Sequence, residues 1–129
     1  MMLIGELAAE AGTTTRALRY YEEQGLLEPG RTTAGYRVYE PSAALRVRNI
    51  RELLACGFTV DDVKSFLDHL DRELPQVFCR TPSCAAGNAV AAQRVAELEE
   101  RIATLTRLRD SLVDRMPWLA APGERVARL

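Results

Sequence analysis

Apolar residues near the start of the chain recur three or four positions apart, at Leu3, Ile4, Leu7, Ala8 and Ala11. This spacing predicts an amphipathic helix that ends at Gly12. A second helix is predicted to begin after Thr14, whose hydroxyl can accept backbone N–H groups, and to end at Gly25; Thr13 is the alternative N-cap. Two short helices joined by a tight turn form a helix-turn-helix, in which Leu7 and Leu18 would pack against each other.

A small β-hairpin is predicted directly after the second helix. Pro29 interrupts the helical pattern, and Gly35 can supply the positive φ of a turn among residues that favour strands. A hairpin in this place is the wing of a winged helix-turn-helix, and it carries Arg31 and Arg37.

Two further helices are predicted between the hairpin and residue 70. Their apolar stripes are Leu45, Val47, Ile50, Leu53 and Leu54 in the first and Val63, Phe66, Leu67 and Leu70 in the second. Thr59 and Asp62 have the spacing of a capping box at the start of the second helix. Cys56 lies among apolar neighbours and is expected to be a small core residue.

A long helix of roughly thirty residues is predicted up to Met116, with an apolar seam at heptad spacing. The seam consists of Val95, Leu98, Ile102, Leu105 and Leu112. A helix of that length extends about 45 Å and cannot bury such a stripe on a small domain, so it needs a partner helix. We therefore expect a coiled-coil homodimer. The alternative is a long helix that folds back onto its own domain.

The predicted fold class is mostly α, with a winged helix-turn-helix followed by a long coiled-coil dimerisation helix. The predicted boundaries are 1–72 for the DNA-binding domain with its second helix pair, 73–88 for a connector, 89–116 for the dimerisation helix and 117–129 for a C-terminal tail. Trp118 in this tail is expected to pack against another part of the protein.

Charge is distributed unevenly along the 129-residue chain. A formal net charge of −1 argues against a generally basic coat protein for nucleic acid, but it allows a local basic patch. Five arginines lie between residues 31 and 51 with one acidic residue among them, namely Arg31, Arg37, Arg46, Arg48 and Arg51. No apolar run reaches the roughly eighteen residues of a membrane helix, and the N-terminus lacks a signal-peptide pattern. We therefore expect a cytoplasmic protein without a membrane partner.

The second helix carries side chains suited to contact with DNA. Arg16 and Arg19 are three positions apart and share one face, beside Tyr20 and Tyr21. Arginine pairs with phosphate or guanine, and tyrosine offers a flat apolar face with a terminal hydroxyl. The alternative is an amphipathic surface helix with solvated arginines and with tyrosines packed in the core.

Six motifs identify a family resemblance: Ile4-Gly5-Glu6-Leu7-Ala8, Arg19-Tyr20-Tyr21-Glu22, Gly25-Leu26-Leu27, Arg31-Thr32, Gly35-Tyr36-Arg37-Val38-Tyr39 and Cys56-Gly57-Phe58-Thr59. Their order and spacing resemble those of the mercury-resistance-regulator (MerR) family. The resemblance implies a winged helix-turn-helix, a further helix pair and two antiparallel dimerisation helices. It also implies that the dimer binds double-stranded promoter DNA with a long spacer and distorts it, so that RNA polymerase can engage the promoter.

The positions that match the family's DNA contacts are Arg16, Arg19, Tyr21, Tyr36 and Arg37. The complete set of predicted DNA contacts is Thr14, Arg16, Arg19, Tyr20, Tyr21, Arg31, Tyr36, Arg37 and Arg48. Arg16 is the first candidate for reading a base, whereas most of the others are expected to hold phosphates. Tyr20 could instead pack inside the domain, and Arg48 is included mainly for its charge.

Three cysteines are too few, and odd in number, for a secreted disulfide framework. Cys79 and Cys84 are separated by four residues near the start of the long helix. Their thiolates could bind zinc or copper(I), or the pair could form a reversible disulfide. The metal-sensing relatives carry further cysteines after the long helix, whereas residues 116–129 contain neither Cys nor His. A third alternative is that these thiols sense nothing, and that the regulator binds a small organic ligand or no ligand.

Two other classes of function are less well supported by the sequence. The chain has one histidine, no G-x-S-x-G motif and no phosphate-binding glycine loop, so we expect that it is not an enzyme. A coiled-coil interaction module is the other alternative, and it would not need the arginines of the second helix and the wing.

Overall fold

The computed structural model describes residues 1–78 and 85–120. In chain order the elements are β1 (Met2–Leu3), α1 (Ile4–Ala11), α2 (Thr15–Glu23), β2 (Gly30–Arg31), β3 (Arg37–Tyr39), α3 (Ala43–Ala55), α4 (Val60–Val63), a 3₁₀ helix (Lys64–His69), α5 (Ala85–Arg115) and a second 3₁₀ helix (Pro117–Leu119). They form two compact units, Met1–Ala91 and Ala92–Leu129. The mostly α fold class, with an N-terminal winged helix-turn-helix and a long C-terminal helix, is confirmed.

The helix-turn-helix is built as its sequence predicts. Helix α1 ends at Gly12, which has a φ of 70°. The hydroxyl of Thr14 accepts a hydrogen bond from the backbone N–H of Ala17 at 3.1 Å and caps α2. Leu7 and Leu18 are both fully buried, in the same hydrophobic cluster. The predicted start of α2 and the apolar contact between the two helices are therefore confirmed.

The wing is part of a three-stranded sheet in which β3 is the central strand. Strand β2 pairs antiparallel with β3, and Arg31 lies opposite Arg37. Strand β1 pairs with the other edge of β3, and Leu3 lies opposite Val38. The predicted hairpin is confirmed, but Leu3, which the hydrophobic pattern predicts to be helical, belongs to strand β1. A strand of two residues has no measurable periodicity, so only its pairing with β3 reveals it.

The core of the first unit lies between α1, α2, α3 and the α4 segment. Its fully buried members include Leu7, Leu18, Leu26, Val47, Ile50, Val63 and Leu70. Thr59 and Asp62 form the predicted capping box at the start of α4. The helix of the second apolar stripe continues beyond Val63 as a 3₁₀ helix.

Cys56 is exposed, so the prediction of a core position for it is wrong. Cys56 follows Val47 by nine positions, which is about 900° at roughly 100° per residue, and its side chain therefore lies about half a turn away from that of Val47. Val47 is fully buried on the core side of α3. Apolar neighbours along the chain did not reveal this because Leu54 lies on another face of the helix and Phe58 lies beyond its end.

The long helix α5 spans 31 residues, Ala85–Arg115. The five predicted seam residues are 37–65% exposed in the single chain, which by itself does not bury the stripe. The side chain of Trp118 is also 63% exposed in the single chain, and its expected packing stays a prediction. No helix among the residues described is long and apolar enough to cross a membrane.

Candidate nucleic-acid interface

One face of helix α2 is exposed and carries both arginines. Arg16, Arg19 and Tyr20 lie at positions i, i+3 and i+4, and all three are exposed. Leu18 on the opposite face is fully buried. The predicted shared face of Arg16 and Arg19 is therefore present in the structure.

The two tyrosines of α2 differ in burial. Tyr20 is 45% exposed, whereas Tyr21 is 6% exposed and belongs to the hydrophobic core. Burial raises the pKa of the Tyr21 hydroxyl, and the nearby Arg51 guanidinium partly offsets this rise. The alternative in which Tyr20 packs inside the domain is wrong. Of the two rings, that of Tyr20 is the more available to a ligand from solution.

The tip of the wing is held by its own hydrogen bonds. The backbone N–H of Thr32 donates to the Tyr36 carbonyl at 2.9 Å, and the hydroxyl of Thr32 accepts from the Tyr36 N–H at 3.1 Å. Arg31 Nη1 donates to the carbonyl oxygen of Gly35 at 3.0 Å, and Gly35 has a φ of 85°. Arg31 and Tyr36 are both exposed on this tip.

Glu22 connects helix α2 to the central strand of the wing. The Tyr39 hydroxyl donates to Glu22 Oε1, and Arg37 Nε lies 3.3 Å from Glu22 Oε2. Burial, followed by the hydrogen bond to Glu22 and the charge of that carboxylate, raises the pKa of the Tyr39 hydroxyl well above its usual range. Neither Glu22 nor Tyr39 was among the predicted site residues. Glu22 carries no special signal in the sequence, because its partners Arg37 and Tyr39 are fifteen and seventeen positions away.

Two arginines of the predicted basic patch make hydrogen bonds that stabilise the fold. Arg46 Nε donates to the carbonyl oxygen of Leu26 at 2.6 Å, and Arg46 Nη1 lies 3.0 Å from the Asp71 carboxylate. Arg51 Nη1 donates to the carbonyl oxygen of Ala11, the last residue of α1, at 2.9 Å. Arg48 on α3 is exposed.

The predicted metal or redox pair, Cys79 and Cys84, lies outside the residues that the structure describes. Within residues 1–78 and 85–120, no group of three or more His, Cys, Asp or Glu side chains could hold a metal ion. The site that can be described is therefore the surface formed by α2 and the wing.

Family models match nearly the whole of the described chain. Residues 2–70 match the MerR HTH family regulatory protein, and residues 45–115 match a second model described as MerR, DNA binding. This chain belongs to the MerR family. It is a DNA-binding transcription regulator, as the motifs of its first seventy or so residues predict.

Individual relatives agree with this membership of the MerR family. An HTH-type transcriptional regulator of Pseudomonas aeruginosa is 38% identical over 114 residues, which are 88% of this chain and 81% of that protein. The mercuric resistance operon regulatory protein of Bacillus cereus is 30% identical over 112 residues, or 86% of this chain and 80% of that protein. The crystal structure of the transcription regulator PbrR691 from Ralstonia metallidurans CH34, in complex with lead(II), matches with a TM-score of 0.72 and 31% identity over 88% of this chain and 84% of that one.

Proposed function

We propose that this MerR-family regulator binds pseudo-palindromic promoter DNA as a homodimer and distorts the duplex so that RNA polymerase can engage both promoter elements. The observation that carries the proposal is the pairing of two basic surfaces on one domain. Arg16 and Arg19 are exposed on α2, and the wing that carries Arg31 and Arg37 is joined to α2 through Glu22. A recognition helix and a wing in one rigid arrangement can contact a groove and the neighbouring phosphates together.

The proposed contacts differ in what they do. Arg16 near the start of α2 is the candidate for reading a base edge, because the first turns of a recognition helix reach deepest into the major groove. Arg19 and Arg37 would hold phosphates. The rest of the proposed contact set consists of Thr14, Tyr20, Tyr21, Arg31, Tyr36 and Arg48. The burial of Tyr21 favours Tyr20 as the tyrosine of α2 that reaches DNA.

The proposed dimer forms through α5. Its seam of Val95, Leu98, Ile102, Leu105 and Leu112 is exposed in the single chain and repeats at heptad spacing. A second copy could cover this stripe and would place two recognition helices about a two-fold axis, as a pseudo-palindrome requires. We propose the organisation 1–72, 73–88, 89–116 and 117–129 for the DNA-binding domain, connector, dimerisation helix and tail.

We propose a metal ion or thiol oxidation as the signal, sensed through Cys79 and Cys84. Two relatives support a metal ion as the signal: one is a mercuric resistance operon regulatory protein, and another was crystallised in complex with lead(II). In this chain two thiolates could hold copper(I), or zinc with further ligands. The alternative is a regulator of the same type that binds a small organic ligand or senses nothing. Catalysis is not part of this proposal.

DNA binding is tested with a duplex that the purified protein selects from a randomised pool. Fluorescence anisotropy should give an affinity that falls steeply with salt, because several phosphates are neutralised per dimer. Replacing Arg19 and Arg37 together by alanine should abolish binding, while sedimentation equilibrium still detects a dimer. Arg107→Ala, an exposed arginine of α5 outside the seam, is the matched control for lost positive charge. If the Arg19/Arg37 double variant binds DNA with unchanged affinity, the alternative function as a coiled-coil interaction module would be better supported than DNA binding.

The dimer is tested separately at the seam. Ile102→Asp should convert the dimer into monomers in sedimentation equilibrium, because it places a charge in the proposed apolar interface. Arg101→Asp is the matched control at the adjacent exposed position. A dimer that survives Ile102→Asp unchanged would contradict pairing through this seam.

The signal is tested on the reduced protein. Elemental analysis and titration with zinc and with copper(I) should give stoichiometric binding that is lost in Cys79→Ser and in Cys84→Ser. Cys56→Ser, which removes an exposed thiol, should leave binding unchanged. Absence of binding at submicromolar free metal would remove the metal hypothesis, and mass spectrometry after mild oxidation would then test for a disulfide between Cys79 and Cys84.

A further inference from the structure

We propose that Glu22 is a positioning residue for DNA binding: its carboxylate holds Arg37 against the recognition helix, so that the guanidinium meets a backbone phosphate in one fixed orientation. This inference rests on the proposed function, because it assumes that Arg37 contacts DNA. Glu22 would not itself touch the DNA.

The first support is the geometry of the Arg37 side chain. Its Nε is buried and lies 3.3 Å from Glu22 Oε2, yet 38% of the side chain is exposed. The contact at Nε is an ion pair without hydrogen-bond geometry. Within the described part of the chain, the Arg37 side chain makes this ion pair and no hydrogen bond. An arginine has five N–H donors, so one held at Nε can still offer both terminal amino groups to a phosphate.

The second support is the restraint on Glu22 itself. Its side chain is only 11% exposed, and its other carboxylate oxygen accepts from the hydroxyl of Tyr39, a residue that is 1% exposed. A buried phenol on the central strand thus fixes one oxygen, and the second oxygen faces Arg37. This arrangement gives Arg37 a defined partner on a rigid support, unlike an arginine that moves freely in solvent.

The third support is the distribution of charge. Glu22 lies one turn after Arg19 on the same face of α2, and both Arg19 and Arg37 act electrostatically on Tyr39. Two guanidinium groups brought together for one DNA backbone repel each other, and a carboxylate between them offsets this repulsion. Near the C-terminus of a helix a carboxylate is disfavoured by the helix dipole. Glu22 is in the second-last position of α2, and its ion pair with Arg37 offsets this cost.

Two opposite outcomes are possible when the Glu22 charge is removed. If Glu22 only lowers the local positive charge, Glu22→Gln should bind DNA more tightly, because one negative charge near the phosphates is gone. If Glu22 positions Arg37, the same variant should bind more weakly, because the amide no longer attracts the guanidinium. The sign of the change therefore separates the two roles.

The experiment is a double-mutant cycle measured by fluorescence anisotropy on a duplex selected in vitro by the wild-type protein. Glu22→Gln should lower the affinity for DNA about fivefold or more. In the Arg37→Ala background the same substitution should lower the affinity less than about twofold. The salt dependence of Glu22→Gln should approach that of Arg37→Ala, since each lost phosphate contact lowers the slope by about 0.9. A general loss of structure would not produce either pattern. Thermal unfolding followed by circular dichroism checks that each variant is folded.

Each result decides between the models. An unchanged or higher affinity for Glu22→Gln, or equal losses in both backgrounds, would overturn the positioning role while Arg37 still acts as a DNA contact. If Arg37→Ala binds DNA with wild-type affinity, Arg37 does not contact DNA, and Glu22 has no positioning role through it. Failure of the wild-type protein to select any duplex would instead overturn the proposed function.

Discussion

Asn49 donates a hydrogen bond from its side-chain Nδ2 to the carbonyl oxygen of Leu70 at 2.8 Å. The same nitrogen donates to the carbonyl oxygen of Arg72, also at 2.8 Å. Asn49 is a buried polar residue in the core of this unit, at 3% exposure, and Leu70 is fully buried. Helix α3 therefore holds the segment that follows the 3₁₀ helix Lys64–His69 through one amide, next to the ion pair between Arg46 and Asp71.

Asn49→Leu should lower the free energy of unfolding by about 1–3 kcal/mol. The substitution keeps the approximate shape of the side chain but leaves two backbone carbonyls without their donor, and an unpaired buried group costs about that much. Urea unfolding at a fixed protein concentration measures the change. Arg48→Ala, at the adjacent exposed position, should remain within about 0.5 kcal/mol of the wild type. Equal stability of Asn49→Leu and the wild type would contradict the importance of this amide.

Thr14→Ala should destabilise the protein by about 1 kcal/mol, because the Ala17 N–H at the start of α2 loses its 3.1 Å acceptor. Thr14→Ser keeps a hydroxyl at the same position and should retain most of the stability. The same urea titration compares the three proteins. If the alanine and serine variants unfold together, the hydroxyl does not act as a cap.

Two glycine substitutions should change stability in opposite directions. A Cβ at Gly87 in the first turn of α5 would lie 2.7 Å from Cε1 of Phe66, and the Phe66 ring is itself packed against that of Phe58 at 5.1 Å between centroids. Gly87→Ala should therefore lower the free energy of unfolding by about 1–3 kcal/mol, as overpacking of a core does.

Gly5 lies in α1 with open space around it, so Gly5→Ala should raise the free energy of unfolding by about 0.5–1 kcal/mol.

Thermal unfolding distinguishes the two glycine variants by the sign of the shift in Tm. A stable Gly87→Ala would mean that the first turn of α5 can move away from Phe66 without loss. In that case, the close approach would not depend on glycine.

The raised pKa of Tyr39 predicts a loss of stability at alkaline pH. In the unfolded chain a tyrosine ionises near pH 10, whereas in the folded protein burial and Glu22 keep the Tyr39 hydroxyl protonated to higher pH. Above about pH 10 the folded state binds more protons than the unfolded state, so the free energy of unfolding falls as pH rises. This contribution is present in full below about pH 10.

Tyr39→Phe should lose less stability than the wild type between about pH 9 and about pH 11, because phenylalanine has no proton to release. Urea unfolding at both pH values measures the difference, and Tyr36→Phe on the exposed wing tip is the control. Parallel pH profiles for the wild type and Tyr39→Phe would show that Tyr39 does not control this alkaline loss.

Much of this fold was predictable because the sequence features that specify it act over only a few neighbouring residues. The Thr14 cap, the left-handed glycines at Gly12 and Gly35 and the Thr59 capping box each act within a few residues of their own position. An amphipathic stripe likewise needs only the helical period. These signals located the helix-turn-helix, the wing hairpin and the long helix, and the motifs they carry pointed to the correct family.

The arrangement of side chains at the candidate interface depends on contacts between residues far apart in sequence. Tyr20 and Tyr21 are chemically identical neighbours, and only the packing of α2 on the core exposes one and buries the other. Glu22 meets Arg37 and Tyr39 because the pairing of β3 brings the wing back to α2, fifteen or more positions along the chain. The same dependence explains the misplaced Cys56 and the unpredicted strand β1. Helix periods and caps are properties of a segment, whereas burial and ion pairing are properties of the assembled domain.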